Sequence, residues 1–207
     1  MPSKQPINIA VFKIMNGIDS YHNILEQVID FFNFIDFRKL VTSKFEPTYA
    51  RRAFPCLDEP DQKATFDISL VKPKEATPWT ALSNMNELQT VDGPGANEQT
   101  TTFNTSVKMS TYLACFIVSQ FEHKPGTVTN LDGNIINVRT FAPTHLTSKT
   151  LFANAAAVSI TGYYIKYFDI GYPLPKLGNF QIYLCHMPIL TKHKFLDCKL
   201  RIKSIKN

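Results

Sequence analysis

Cysteine is sparse in this chain. Its four cysteines (Cys56, Cys115, Cys185, Cys198) lie far apart, with no C-x-x-C pair. That excludes a disulfide-framed mini-domain and the ligand spacing of a zinc finger. Long apolar runs are also missing, so no stretch reads as a membrane span. The start, "MPSKQPINIAVFKIMNG", is basic, but Lys13 interrupts its apolar run and no small-residue cleavage site follows, so it is not read as a signal peptide. Acidic residues are scarce where basic ones are dense, at the C-terminal end. Residues 178–207 hold six basic residues and a single acid, Asp197. Taking these from the totals of 22 basic and 17 acidic leaves sixteen of each over residues 1–177. The net charge of +5 therefore belongs to the last thirty residues, and the body carries no basic stripe for nucleic acid.

What is present is a globular composition, 44% hydrophobic and 19% charged over 207 residues. Tyr21, Leu25, Val28, Phe32 and Ile35 fall at helical spacing and predict a helix over 18–37, capped by Asp19 or Ser20. After residue 60 the period changes to two. Phe66, Ile68 and Leu70 alternate with polar residues and predict a half-buried strand. "TALSNM" (80–85) reads as a short strand or bend, and "VDGPGANEQ" (91–99) as a turn. Phe103, Thr105, Val107 and Met109 alternate again. "TYLACFIVSQF" (111–121) is apolar on both faces and predicts a central strand. "NIINVRTFA" (134–142) predicts another strand, entered through the turn "LDGN". Short strands with polar turns predict an antiparallel β-sandwich. A helix then follows over 147–169, with Thr147 or Ser148 as N-cap, Leu151, Ala155, Val158 and Gly162 at helical spacing, and Gly171 and Pro173 as its stop. "NTS" at Asn104 is a glycosylation acceptor motif.

One segment stands apart. "KFEPTYARRAFPCLDEP" (44–60) crowds Pro47, Pro55 and Pro60 among Arg51, Arg52, Asp58 and Glu59. These charges read as ion pairs and turn bonds pinning a rigid corner, and Cys56 as a small packing residue rather than a reactive thiol. Together with "TALSNM", "VKMSTYLACFIVSQFE" and "DIGYPLPKL", in that order, this segment resembles the aminopeptidase N-like zinc aminopeptidases, over roughly residues 42–177.

The resemblance implies a mainly β fold. Residues 42–146 would be an antiparallel, saddle-like N-terminal β-sandwich. Residues 147–177 would begin a thermolysin-like catalytic domain that is truncated here. Residues 1–41 and 178–207 resemble nothing in the family. The resemblance also implies a role for Glu46: the glutamate of this motif projects into the family's active-site cleft and holds the substrate's free α-amine. A fixed carboxylate beside a proline suits an ammonium ion. Where the family often has glutamine, two residues earlier, this chain has Lys44, a cation able to compete for the same carboxylate.

The family's zinc chemistry needs H-E-x-x-H and a later glutamate ligand. It also needs a G-A-M-E-N block. The last glutamate of this chain is Glu122 and none of its five histidines precedes a glutamate, so no catalytic residue, metal ligand or cofactor is expected here, although the full-length family uses zinc. Cys185, His186, His193 and Cys198 fit no common zinc spacing, and His123 and His145 read as solvated loop residues. Three functions are consistent with this pattern. One is the substrate-facing portion of an aminopeptidase, inactive alone, whose partner is a peptide N-terminus. The second is a non-catalytic binding or decoy module that pairs with a full-length aminopeptidase. The third is a product with no function of its own. Without its catalytic partner, the 147–169 helix is expected to leave Leu151, Val158, Ile165 and the aromatics of "YYIKYF" facing water.

Overall fold

Strands dominate because apolar residues at period two recur in short runs between turn residues. The computed structural model describes the backbone of residues 7–13, 29–33, 39–182 and 194–197, and side chains over 41–180. The chain divides into two compact units, parting between Gln120 and Phe121.

The first unit holds β1 (Ile7–Lys13), β2 (Ile29–Asn33), β3 (Lys39–Ser43), a four-residue helix α1 (Ala50–Ala53), β4 (Lys63–Ala64), β5 (Phe66–Pro73), β6 (Thr80–Ser83), β7 (Glu87–Asp92), β8 (Glu98–Phe103), β9 (Met109–Ser110) and β10 (Phe116–Ser119). One sheet runs β1-β5-β8-β7 and a second β2-β3-β10-β6. Pairing within them is antiparallel except between β1 and β5. Both sheets feed one core. Phe66, Ile68 and Leu70 of β5 and Phe103 of β8 meet Val41 of β3, Ala81 of β6 and Phe116 and Val118 of β10. That is two-sheet packing, with inward residues alternating along each strand.

The expected alternation of Phe66, Ile68 and Leu70 is present, each at most 3% exposed. "TALS" forms β6, and the 91–99 turn joins β7 to β8. The expected central strand is there as β10, buried at all four positions between β3 and β6. It is shorter than 111–121, because Thr111–Leu113 wind into a 3-10 turn whose Thr111 hydroxyl donates to Leu57 O at 2.7 Å. The alternation over 103–109 does not make one strand. Ser106 exchanges bonds with Phe66, its N–H to the carbonyl and its hydroxyl accepting the amide, both at 2.9 Å, so the chain bends away before β9. The predicted helix over 18–37 is also overturned where the structure describes it. Residues 29–33 are β2, antiparallel to β3. In "IDFFN" the aromatic and β-branched residues suit a strand, and pairing with β3 outweighs a helical spacing that any dense apolar run contains. The rest of that segment lies outside the described residues.

The second unit holds β11 (Glu122–Thr129), β12 (Ile135–Ala142), α2 (Leu151–Phe168), β13 (Lys176–Ile182) and β14 (Lys194–Asp197), in the sheet order β11-β12-β13-β14. The predicted hairpin turn joins β11 to β12, with Gly133 at φ +81°, a left-handed conformation that glycine adopts without cost. The hairpin thus shares a sheet with β13 rather than with the strands before it, and β13 runs parallel to β12.

Helix α2 begins later than predicted. Residues 144–150 form a 3-10 segment in which the Thr147 hydroxyl donates to Pro143 O and the Thr150 hydroxyl to Thr147 O. Neither Thr147 nor Ser148 caps it; Thr150 holds that position without a side-chain cap bond. The stop also comes earlier than Gly171, at Asp169, which is left-handed at φ 50°. The face it buries is Asn154, Ala157, Val158 and Ile165, not the stripe through Leu151 and Ala155. Asn154 fixes the docking: its side chain accepts from Thr140 Oγ1 and donates to Pro125 O, both at 3.0 Å. Gly126 permits the approach, since a Cβ there would stand 2.7 Å from Val158 Cγ2. Of the three residues expected to face water, Leu151 does, whereas Ile165 is buried and Val158 packs on the core. Tyr163, Tyr164, Tyr167 and Phe168 are exposed and stack on one another along the outer side. Among the described residues no helix is long and apolar enough to cross a membrane.

Candidate functional site

The corner at 44–60 is built outward from Phe45. Leaving β3, the chain buries this ring edge-on against Phe54 (5.9 Å between centroids) and Phe116 (5.5 Å). With Phe45 turned into the core, its neighbours Lys44 and Glu46 are turned out to water. Residues 46–49 form a turn, entered through a cis Glu46–Pro47 peptide and closed by the Tyr49 N–H donating to Phe45 O at 2.9 Å. The fully buried Ala50 then starts α1.

The charges expected to pin the corner do so. Arg51 donates its backbone N–H to Asp58 Oδ2 at 3.1 Å, and its guanidinium reaches Asp58 at 3.6 Å and Glu59 at 3.1 Å. Arg52 lies over the Tyr49 ring, 4.8 Å from its centroid. Asp58 is 1% exposed; its Oδ2 is held by Arg51, while its buried Oδ1 has no hydrogen-bond partner among the described residues. Cys56 packs at the edge of the core, and burial, followed by the charges of Asp58 and Glu59, pushes its thiol up to about 11. It is a protonated packing group at neutral pH, as its sequence context indicated.

Two of the other resemblance blocks, "TALSNM" and "VKMSTYLACFIVSQFE", converge here. Ser110 Oγ donates to Pro60 O, and the Thr111 hydroxyl to Leu57 O. Ser43 Oγ accepts the Phe116 N–H at 2.9 Å. Asn84 of "TALSNM" donates to Leu113 O and accepts the Cys115 N–H, both at 2.9 Å, while Ser83 Oγ donates to Cys115 O at 2.8 Å. Segments 43–60, 83–84 and 110–116 are therefore one hydrogen-bonded assembly around the Phe45 ring. Sequence reasoning picked out its charges but missed Phe45, Phe54 and Phe116 as its anchor; all three stood in the quoted blocks, and their grouping needs the fold.

Within this assembly Glu46 is distinctive. Arg51, Asp58 and Glu59 bond to each other, whereas among the described residues neither Glu46 nor Lys44 has a hydrogen-bond or ion-pair partner. The anticipated competition from Lys44 is not realised as a contact. Glu46 is thus an exposed carboxylate on a braced turn, with neither oxygen bonded among the described residues.

Residues 35–113 match the family described as the peptidase M1 N-terminal domain. The chain belongs to the peptidase M1 family. Over 140 residues, 68% of the chain, it is 40% identical to endoplasmic reticulum aminopeptidase 2 of Bos taurus. It is 37% identical over 147 residues to glutamyl aminopeptidase of Bos taurus, and 36% identical over 137 residues to puromycin-sensitive aminopeptidase of Caenorhabditis elegans. Those matches cover 70% and 66% of the chain. The chain spans 14% of the length of each of these relatives.

M1 peptidases are zinc metallopeptidases, and nothing among the described residues of this chain fits that ion. Its 207 residues contain no H-E-x-x-H. Among the described residues no group of three or more His, Cys, Asp and Glu side chains could hold a metal. Cys185, His186, His193 and Cys198 lie outside the described side chains. His123 is not a loop residue as expected but stands on β11 and packs on Phe141 at 5.1 Å; it stays exposed, and partial desolvation, with Arg139 adding to it, holds its imidazole below the usual range.

Proposed function

We propose that this chain supplies the substrate-facing N-terminal portion of an M1 aminopeptidase, with Glu46 as the carboxylate that anchors a peptide's free α-amine. The observation that carries the reading is Glu46 itself: an acid without a partner among the described residues, on a corner whose other acids, Asp58 and Glu59, are paired with Arg51. Membership of the M1 family gives that position its meaning. The resemblance assigns residues 42–146 to the β domain and 147–177 to the start of a catalytic domain.

The geometry supports binding and orientation only. A peptide's ammonium would donate to the Glu46 carboxylate, and the braced turn keeps that carboxylate from collapsing onto a neighbour. Water removal, carbonyl polarisation and attack on the scissile bond would fall to zinc-bearing segments that these 207 residues do not contain. An isolated exposed ion pair contributes about 0–1 kcal/mol. Glu46 therefore works as an anchor only where further protein walls exclude water around it.

The test transplants residues 35–113 into the matching segment of endoplasmic reticulum aminopeptidase 2 and compares Glu46→Gln with the parent chimera. A desolvated charge-assisted hydrogen bond is worth about 1.5–3 kcal/mol, so kcat/KM for an unblocked peptide should fall about ten- to a hundred-fold. Zinc content and melting temperature should stay unchanged. An unchanged kcat/KM in a folded, zinc-loaded chimera would exclude Glu46 as the anchor.

A further inference from the structure

The one acceptor motif left outside this function is Asn104-Thr105-Ser106, and no other Asn-x-Ser or Asn-x-Thr occurs in the 207 residues. It lies in the irregular stretch between β8 and β9. Asn104 is exposed. Its backbone N–H donates to Asn86 O at 3.0 Å, while its side-chain amide has no partner among the described residues. The hydroxyl two residues on is in the opposite state. Ser106 is 5% exposed, accepts the Phe66 N–H and donates to Val107 O, each at 2.9 Å. Thr105, between them, donates to Asp67 Oδ1 at 2.6 Å. The folded motif is therefore split: its nitrogen faces water and its hydroxyl is locked under β5.

We propose that Asn104 is an N-glycan acceptor that can be used only before β5 seats against residues 105–106. In the transfer, Asn104 Nδ2 forms a bond to the anomeric carbon of an oligosaccharide carried on a lipid diphosphate. The sugar–phosphate bond breaks, the diphosphate leaves with its lipid, and the amide nitrogen gives up one proton. The transferase must read the serine hydroxyl as well as the asparagine. In the fold that hydroxyl is committed to Phe66, so the motif is closed. Once attached, the glycan projects from an exposed side chain that the fold does not use, and the native contacts of Phe66 and Ser106 survive it. The inference is independent of the role assigned to Glu46.

The test translates the full chain behind a cleavable leader with endoplasmic-reticulum microsomes, and separately offers purified folded and urea-unfolded chain to solubilised oligosaccharyltransferase and lipid-linked oligosaccharide. Microsomal product should show a single mobility step, removed by an N-glycan amidase. Asn104→Gln and Ser106→Ala should abolish the step, and Ser106→Thr, which keeps the motif, should retain it. In the second arm the unfolded chain should be modified at least tenfold faster than the folded one. Absence of the step in the microsomal product, or its persistence in Asn104→Gln, would overturn the site. Equal rates for folded and unfolded chain would overturn the closure by Ser106.

Discussion

Replacing Phe45 with alanine should unfold the corner before it affects anything else. The ring is 2% exposed, with Phe54 and Phe116 edge-on to it. Its removal takes away a buried aromatic and two ring contacts, and the site cannot collapse easily because Ala50 and Ser43 are held by backbone pairing and by the Phe116 N–H. Phe→Ala changes of this kind cost about 3–5 kcal/mol. Against a total stability of about 5–15 kcal/mol, that is about a fifth or more of the whole. For a unit of this size each kcal/mol moves the melting temperature by about 3–5 °C, so a drop of about 10–20 °C is expected.

The chain offers a convenient reporter. Trp79 is its single tryptophan, 6% exposed and in the same core cluster as Phe45. Urea unfolding followed by Trp79 fluorescence should show a midpoint lowered in proportion to the lost stability, with the slope unchanged. Phe45→Leu, which keeps most of the volume, should lose less than about 1.5 kcal/mol. A loss under about 1 kcal/mol for Phe45→Ala would refute the argument, because the corner would then be held by its charges and not by its aromatic anchor.

The 207-residue chain, incubated with a fluorogenic aminoacyl amide, should show no chelator-sensitive turnover, because it has no general base or zinc ligands of the H-E-x-x-H kind; turnover above background would contradict this. A short peptide titrated into the same chain should bind more weakly than about 1 mM, equivalent to about 4 kcal/mol, and a tighter affinity lost in Glu46→Gln would show that the corner binds unaided. Gly126→Ala should destabilise the second unit by about 1–3 kcal/mol, since the new Cβ would stand 2.7 Å from Val158 Cγ2; calorimetry checks it. The folded state holds the His123 imidazole below its usual range, so it favours the neutral form; the stability this costs appears as pH falls through the unfolded value near 6.5. His123→Gln should flatten that acid limb, and an unchanged limb would exclude His123 as its source.

Legibility from sequence followed how local each signal was. Phe66, Ile68 and Leu70 alternate within one strand that has one buried face, so period two was sufficient. The turn at Gly133 was readable because a left-handed position selects for glycine. Residues 29–33 do not declare themselves locally because a dense apolar run contains a helical spacing as well as strand-forming residues, and only β3, ten residues on, decides between them. Thr147 and Ser148 were plausible caps by residue type, but the Thr147 hydroxyl is taken by Pro143 O, and the preceding 3-10 turn moves the helix start to Leu151. The stripe on α2 was misplaced for a related reason. Asn154 is polar and was passed over, yet its two hydrogen bonds to the hairpin determine which face of the helix turns inward.

If Glu46 is the anchor we propose, it differs from the structural acids of the same charged segment in how it is held. Asp58 and Glu59 carry the same carboxylate group as Glu46, and Glu59 likewise stands directly before a proline. Their chemistry is already spent: Asp58 holds the Arg51 backbone and guanidinium, and Glu59 holds the same guanidinium. Charged groups that neutralise each other add rigidity and leave little field for a ligand. Glu46 gains that rigidity without joining the network, because the buried Phe45 ring before it and the turn closing on Phe45 O after it hold its backbone on both sides. Its carboxylate is then positioned by apolar packing and main-chain bonds, neither of which competes for its oxygens. An anchor built this way has no partner among the described residues to give up when a cation arrives, and that separation of support from chemistry is the physical reason to look for the substrate amine at Glu46 rather than at the acids that follow it.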